Sequence, residues 1–152
     1  APIIGGGVIT RFSSSSNSVP YHANRSGQLV FVAEAQVGAS KTWGVFLKTS
    51  AGIYRLAYDG MAAPGGGSFV SSSGSHFGNV VVNHPPQISS NGLVLYFGQT
   101  TGTGAPGDAL YLVRLVGDTP VTQRVVAKGD VSPDGSPFAS IEPGYSGGWA
   151  WA

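Results

Sequence analysis

The chain has 152 residues, a net charge of +1 and only 10% charged side chains. That is room for one ordinary domain, without an electrostatic footprint for nucleic acid or an anionic membrane surface. An apolar content of 41% excludes a disordered low-complexity chain despite 24 glycines and 10 prolines, and no apolar run approaches the roughly 18 residues that span a bilayer as a helix. Cysteine is absent, which removes disulfides, thiolate nucleophiles and Cys-type metal centres together.

From the start, residues 1–12 carry Ile3, Ile4, Val8 and Ile9 around Gly5-Gly6-Gly7, too apolar for a loose tail and too rich in glycine for a helix. A start at Ala1-Pro2-Ile3-Ile4 fits a chain trimmed by a signal peptidase; with the low charge and Ser/Gly/Thr-rich composition, it leads us to expect a secreted protein. Ser13 to Ser18 reads as a turn or linker. Short apolar runs bounded by turn residues predict strands at Gln28–Ala33, Trp43–Lys48 and Ile53–Tyr58, and a fourth from Phe69 and Phe77–Val82. Leu93–Gly98, Ala109–Val113 and Thr122–Ala127 take the same places again, with Phe138 and then Tyr145–Ala152 supplying the last strand. No glycine- and proline-free window has helical periodicity, so essentially no helix is expected.

The second half restates the first. With Gly27 set over Gly92, an offset of 65, Pro20 meets Pro85, Val30-Phe31 meets Leu95-Tyr96, and Val45-Phe46-Leu47 meets Leu110-Tyr111-Leu112. At an offset of 69, Arg55 meets Arg124, Gly60 meets Gly129, Pro64 meets Pro133, Gly66 meets Gly135 and Phe69 meets Phe138. The difference is assigned to a longer turn at Gly117-Asp118-Thr119-Pro120. The reading is one all-β domain over residues 1–152, with repeats at about 20–69 and 85–138 and terminal strands at 1–12 and 145–152. Apolar runs such as Leu93–Phe97 suggest strands covered on both faces, as in propeller blades.

Asn91-Gly92, the Leu110-Tyr111 strand and Gly129-Asp130-x-x-Pro133-x-Gly135-x-x-Phe138 together resemble the β-propeller-like tandem repeats of large secreted bacterial proteins, which are mostly uncharacterised. The resemblance covers about residues 20 to 140. Its first copy departs from the pattern, with Asp59-Gly60-Met61 in place of Gly-Asp. It implies two propeller-like four-stranded blades and export, but no reaction. Closed propellers have about four to eight blades, so two must find neighbours, most simply in other copies of the chain. Trp149 and Trp151 alternate onto one side of an extended tail, and an apolar strand end is a template for pairing. Ile3, Ile4, Val8, Ile9, Tyr145, Trp149 and Trp151 are therefore expected at a subunit interface, where the tail, the N-terminal segment or both complete a neighbouring sheet. The competing possibility is that the two ends pair within one chain.

Chemical motifs are incomplete. Gly144-Tyr145-Ser146-Gly147-Gly148 matches G-x-S-x-G without the helix, acid and histidine that a nucleophile elbow needs after it. Gly102-Thr103-Gly104-Ala105-Pro106-Gly107 matches G-x-G-x-x-G but is followed by a strand, and reads as a hairpin loop. Asp130, Ser132 and Asp134, with Gly135 in sixth place, form half of a calcium loop, with Ile141 where its glutamate should stand; an Asp-Pro/Asp-Gly turn explains the same residues. His22, His76 and His84 have no metal-like spacing, and Asn24-Arg25-Ser26 is a glycosylation sequon. Trp43, Tyr58 and Tyr145 could stack on a sugar, although core or interface burial suits them better. The expectation is a non-catalytic extracellular structural protein without cofactor, calcium apart, assembling with itself into a ring or filament by strand completion. The alternative is an oligomeric, lectin-like carbohydrate-binding module.

Overall fold

A computed structural model describes residues 3–12, 21–70, 86–139 and 141. The described residues are all β, in ten strands without a helix: β1 (Val8–Phe12), β2 (Tyr21–Ala23), β3 (Leu29–Val37), β4 (Ser40–Lys48), β5 (Ile53–Tyr58), β6 (Ser68–Phe69), β7 (Gln87–Ile88), β8 (Val94–Thr101), β9 (Asp108–Val116) and β10 (Thr119–Ala127). They form two antiparallel sheets. The first has the order β1-β3-β4-β5 with β2 also on β3, and the second β10-β9-β8-β6 with β7 also on β8.

In each sheet the edge is shared by two short strands lying one after the other along the same neighbour. β1 covers Ala33 to Gln36 and β2 covers Leu29 to Phe31 of β3, while β6 covers Thr100 and Thr101 and β7 covers Val94 and Leu95 of β8. The edge is followed by a three-strand meander, so each sheet has the four-stranded width expected. The fourth strand is placed differently, however. Ser68-Phe69 does not finish the first sheet; it crosses over and begins the second, pairing with β8. The 77–82 part of that predicted strand lies outside the described residues.

The predicted long turn at 117–120 is also corrected. β4 and β5 are joined by the four residues Thr49 to Gly52, whereas β9 and β10 are joined only by Gly117 and Asp118. The four extra residues lengthen the strands and tighten the turn. Gly117, at φ 59°, supplies the left-handed conformation that so short a connection requires. The β9–β10 hairpin therefore projects beyond its counterpart.

Alternation sends each strand's side chains to opposite faces. In the first sheet Phe31, Ala33, Ala35 and Phe46 lie in one cluster with Ile3 and Ile53, and Val30, Val32, Val45 and Leu47 lie in another. The second sheet divides in the same way. Tyr96 and Tyr111, which match Phe31 and Phe46, face the first sheet, and Phe97 and Leu110, which match Val32 and Val45, face away with Ile141. We name the face carrying Phe31 or Tyr96 the front and the other the back. The core of the molecule is then the back of the first sheet against the front of the second, closed by Tyr54, Leu56, Ile88 and Phe69.

Candidate assembly surfaces and the cleft between the sheets

The connector between the sheets is built from residues that recur after the second sheet. The amide of Gly60 donates to the Phe69 carbonyl at 2.9 Å, Phe69 to Met61 at 2.9 Å, Met61 to Tyr58 at 3.0 Å, Ala63 to Gly67 at 3.1 Å and Gly66 to Ala63 at 3.1 Å. At an offset of 69 the same five bonds appear: Gly129 to Phe138 at 2.9 Å, Phe138 to Asp130 at 3.0 Å, Asp130 to Ala127 at 3.1 Å, Ser132 to Ser136 at 2.9 Å and Gly135 to Ser132 at 2.9 Å. The two turns differ in what their phenylalanine meets. Phe69 is fully buried, edge-on to Tyr111 with ring centroids 4.9 Å apart, whereas Phe138 is 37% exposed.

The N-terminal segment imitates this connector where it joins the first sheet. An ideal Cβ on Gly7 would lie 2.8 Å from the Gln36 carbonyl oxygen, and one on Gly67 2.6 Å from that of Thr101. Arg55 lies over Gly5 as Arg124 lies over Gly65. Ile9 pairs with Ala35 as Phe69 pairs with Thr100. Within residues 1–12, Val8–Phe12 forms a strand that adds to β3 of its own chain, where the positive-φ glycines Gly5 to Gly7 turn the segment back onto that edge. Ile3 is buried against Ile53 and Ile9 packs partly on the same cluster, while Ile4 and Val8 face solvent. Tyr145, Trp149 and Trp151 lie outside the described residues, as do His76 and His84.

Among the described residues, both outer faces are buried at their centres, with Phe46 and Phe31 at 0% and 3% and Phe97 and Leu110 at 6% and 7% exposed, and both keep apolar surface at their margins. On the front of the first sheet, a groove of about 390 Å³ is lined by Ile3, Val8, Ile9, Phe12, Leu29, Phe31, Lys48 and Ile53. On the back of the second, Leu95 and Val126 are only partly covered, and Val125 is 53% exposed. Val125 is the residue skipped by a bulge in the β9–β10 pairing. Leu56, its counterpart at an offset of 69, is skipped by the β4–β5 bulge and is fully buried beneath the second sheet.

A mixed cleft of about 200 Å³ opens between the sheets, lined by Ile4, Tyr54, Arg55, Tyr58, Met61, Asp118 and Pro120. The projecting β9–β10 hairpin brings Asp118 here, where Tyr54 Oη donates to its Oδ1 at 2.6 Å. The bond to that carboxylate raises the Tyr54 pKa, with burial adding to the effect. The Arg55 guanidinium lies 4.7 Å from the centre of the Tyr58 ring. Neither Arg55 nor Asp118 takes part in any of the ion pairs found among the described residues.

The remaining candidates are absorbed into local structure. Asp130 accepts from the Ala127 amide at 2.8 Å and lies 3.4 Å from Arg124, while Ser132 donates to Asp134 and to the Ser136 carbonyl. Asp134 also accepts from the Ser136 amide at 3.0 Å; its pKa is lowered chiefly by the Ser132 hydroxyl and then by that amide. The calcium trio thus serves the turn that ends in Phe138. No group of three His, Asp or Glu able to hold a metal occurs among the described residues. The sequon amide of Asn24 donates to Gln28 and to the Ser89 carbonyl, and His22 Nδ1 accepts from the Ile88 amide, so both tie the first sheet to the second. Trp43 packs on the core beneath Arg11. Gly102 to Gly107 is the β8–β9 loop, and Gly66 and Gly67 of the connector rest on it. The sequence alone did not reveal the cleft; its signal was the four-residue difference between the two offsets.

No helix among the described residues is long and apolar enough to cross a membrane. Compared with protein families, curated proteins and solved structures, the chain has no match.

Proposed function

We propose that this chain is a non-catalytic, extracellular structural protein that assembles with itself into a ring or filament. One observation carries this reading. Within the chain the back of one sheet packs on the front of the next, a head-to-tail arrangement, and the outer faces, though buried at their centres, keep exposed apolar residues at their margins: Val8 and Phe12 on the front and Val125 on the back. Contacts of that polarity close into rings or continue as filaments. Because β1 already pairs with β3, completion of a neighbouring sheet would draw on the C-terminal segment, and the exposed apolar margins of the outer faces support the reading independently. The repeated connector favours a tandem-repeat architecture. Light scattering over a range of concentrations, with electron micrographs of the same samples, tests assembly: growing particles are expected, and a constant 15.5 kDa monomer refutes it.

A second reading, a carbohydrate-binding module, is favoured by the cleft between the sheets. Asp118 could accept from sugar hydroxyls, Arg55 could donate, and Met61, Pro120 and the tyrosines offer apolar contact to a ring's C–H face. Binding on a glycan array that is lost in Asp118→Asn supports it, and a blank array removes it.

A further inference from the structure

We infer that the cleft between the sheets takes a carboxylated sugar, with Arg55 as the donor to its carboxylate. The inference rests on the carbohydrate reading of that cleft and names the class of sugar. Its starting point is a difference between the two copies. At an offset of 69, Arg55 corresponds to Arg124, whose guanidinium lies 3.4 Å from Asp130, a carboxylate of the turn that follows its own strand. In the first copy Met61 stands at the place of Asp130, and Tyr58 at the place of Ala127. The arginine is thus kept, while its internal anion gives way to a thioether and a small neighbour to an aromatic ring. Arg55 is half-buried, lies 4.7 Å from the centre of the Tyr58 ring, and forms none of the ion pairs found among the described residues.

A guanidinium stacked on a ring still presents its edge of N–H groups to the two oxygens of a carboxylate, and partial burial makes that bond stronger than it is in open water. Asp118 is the other charged residue lining the cleft. Tyr54 Oη donates to its Oδ1, and the carboxylate keeps further lone pairs for hydroxyl donors. A ligand that satisfies both ends carries an anion and hydroxyl groups together. A uronic acid does so; a neutral sugar lacks the first and a simple carboxylate the second. Ile4, Met61 and Pro120 offer apolar contact to the C–H surface of its ring. At about 200 Å³ the cleft is smaller than the roughly 300–1,000 Å³ of pockets that enclose a drug-sized ligand, so it suits a single ring whose neighbours stay outside.

The test is an array carrying carboxylated oligosaccharides beside the same sugars with each carboxylate reduced to an alcohol, with affinities for the best pair measured by calorimetry. The carboxylated form is expected to bind at least about tenfold more tightly, as a hydrogen bond between charged groups predicts. Met61→Asp would give Arg55 the internal partner that Arg124 already has, and should remove that preference; Arg55→Gln should remove it as well. Circular dichroism establishes that each variant is folded. Equal or tighter binding of the reduced sugars by the parent chain overturns the inference and leaves the carbohydrate reading standing. So does a preference for the carboxylated form that survives in either folded variant. An array on which the parent chain binds nothing removes the inference and the carbohydrate reading together.

Discussion

Replacing Gly98 by alanine probes how the connector is seated. Gly98 lies within β8, and an ideal Cβ there would come 2.9 Å from Phe69 Cε1 and 3.1 Å from Tyr111 Cε2. Unlike the turn glycines, it has no left-handed backbone to lose, so the added methyl acts through packing alone. Both rings belong to fully buried residues, and overpacking of this kind costs about 1–3 kcal/mol. The first sheet has already solved the same problem in another way, with Ala33 in place of Gly98 and Ile9 in place of Phe69. Phe69→Ile alone should lose ring contacts worth about 1–3 kcal/mol. The double variant, recreating the first sheet's pair, should be more stable than the sum of the single losses by about 1–2 kcal/mol. Urea unfolding measures this directly: with a slope of about 1–3 kcal/mol/M, a loss of 2 kcal/mol moves the midpoint by about 1 M. Simple addition of the two single costs would show that Phe69 and Gly98 do not share one packing site.

Phe69→Ala should cost about 3–5 kcal/mol and Phe138→Ala, at the half-exposed copy, only about 0.5 kcal/mol, as read from urea midpoints at a concentration where the chain does not associate. Gly67→Ala must strain a backbone at φ 72° and also meet the Thr101 carbonyl at 2.6 Å, whereas Gly129→Ala, at φ 87° with open space around it, suffers only the first; the Gly129 variant should lose about 1–2 kcal/mol and the Gly67 variant clearly more. Tyr96 is held protonated well above the ordinary tyrosine value of 10.0, first by burial and then by the neighbouring Tyr111. A pKa raised on folding gives stability that is complete below that ordinary value and is lost as pH rises toward the folded one, so the unfolding midpoint should fall from about pH 10 upward. Tyr96→Phe should blunt that fall in a pH series of melts, with little cost at neutral pH, because the hydroxyl lies beside Thr122 without reaching hydrogen-bond geometry. Ser132→Ala should bring the lowered Asp134 pKa back up, which carboxyl NMR titration would register.

The all-β class and the central strands of both sheets were readable because local apolar runs and turn residues agree with the final packing. Ile53–Tyr58 coincides with β5 residue for residue. The other central strands are longer than predicted. β3 continues through Glu34, Ala35 and Gln36, which mix charge with a small side chain and carry no strong local strand signal. β2 and β7 were not foreseen, since two or three residues such as Gln87-Ile88 contain no periodicity to detect. The destination of Phe69 was hidden for another reason. A pattern fixes which residue returns to a core but not to which sheet, and that choice is made by pairing with Thr100 and by the space that Gly98 leaves. The change of offset was visible as four added residues, yet a longer loop and a longer hairpin have the same count. Only the register of β9 on β10, closing through Gly117 and Asp118, separates them. Exposed apolar residues are expected at the chain ends; the structure also places them at the margins of the outer sheet faces, as at Phe12 and Val125, which alternation alone does not reveal.

The projecting β9–β10 hairpin makes the order of the copies matter. Its tip reaches back across the preceding sheet to grip Tyr54, so the long arm is useful only in a unit that has a predecessor. A shuffled gene encoding the second copy before the first would keep every strand and turn, yet that arm would close on empty solvent. The two sheets are therefore not interchangeable: the leading and the following one are distinct parts.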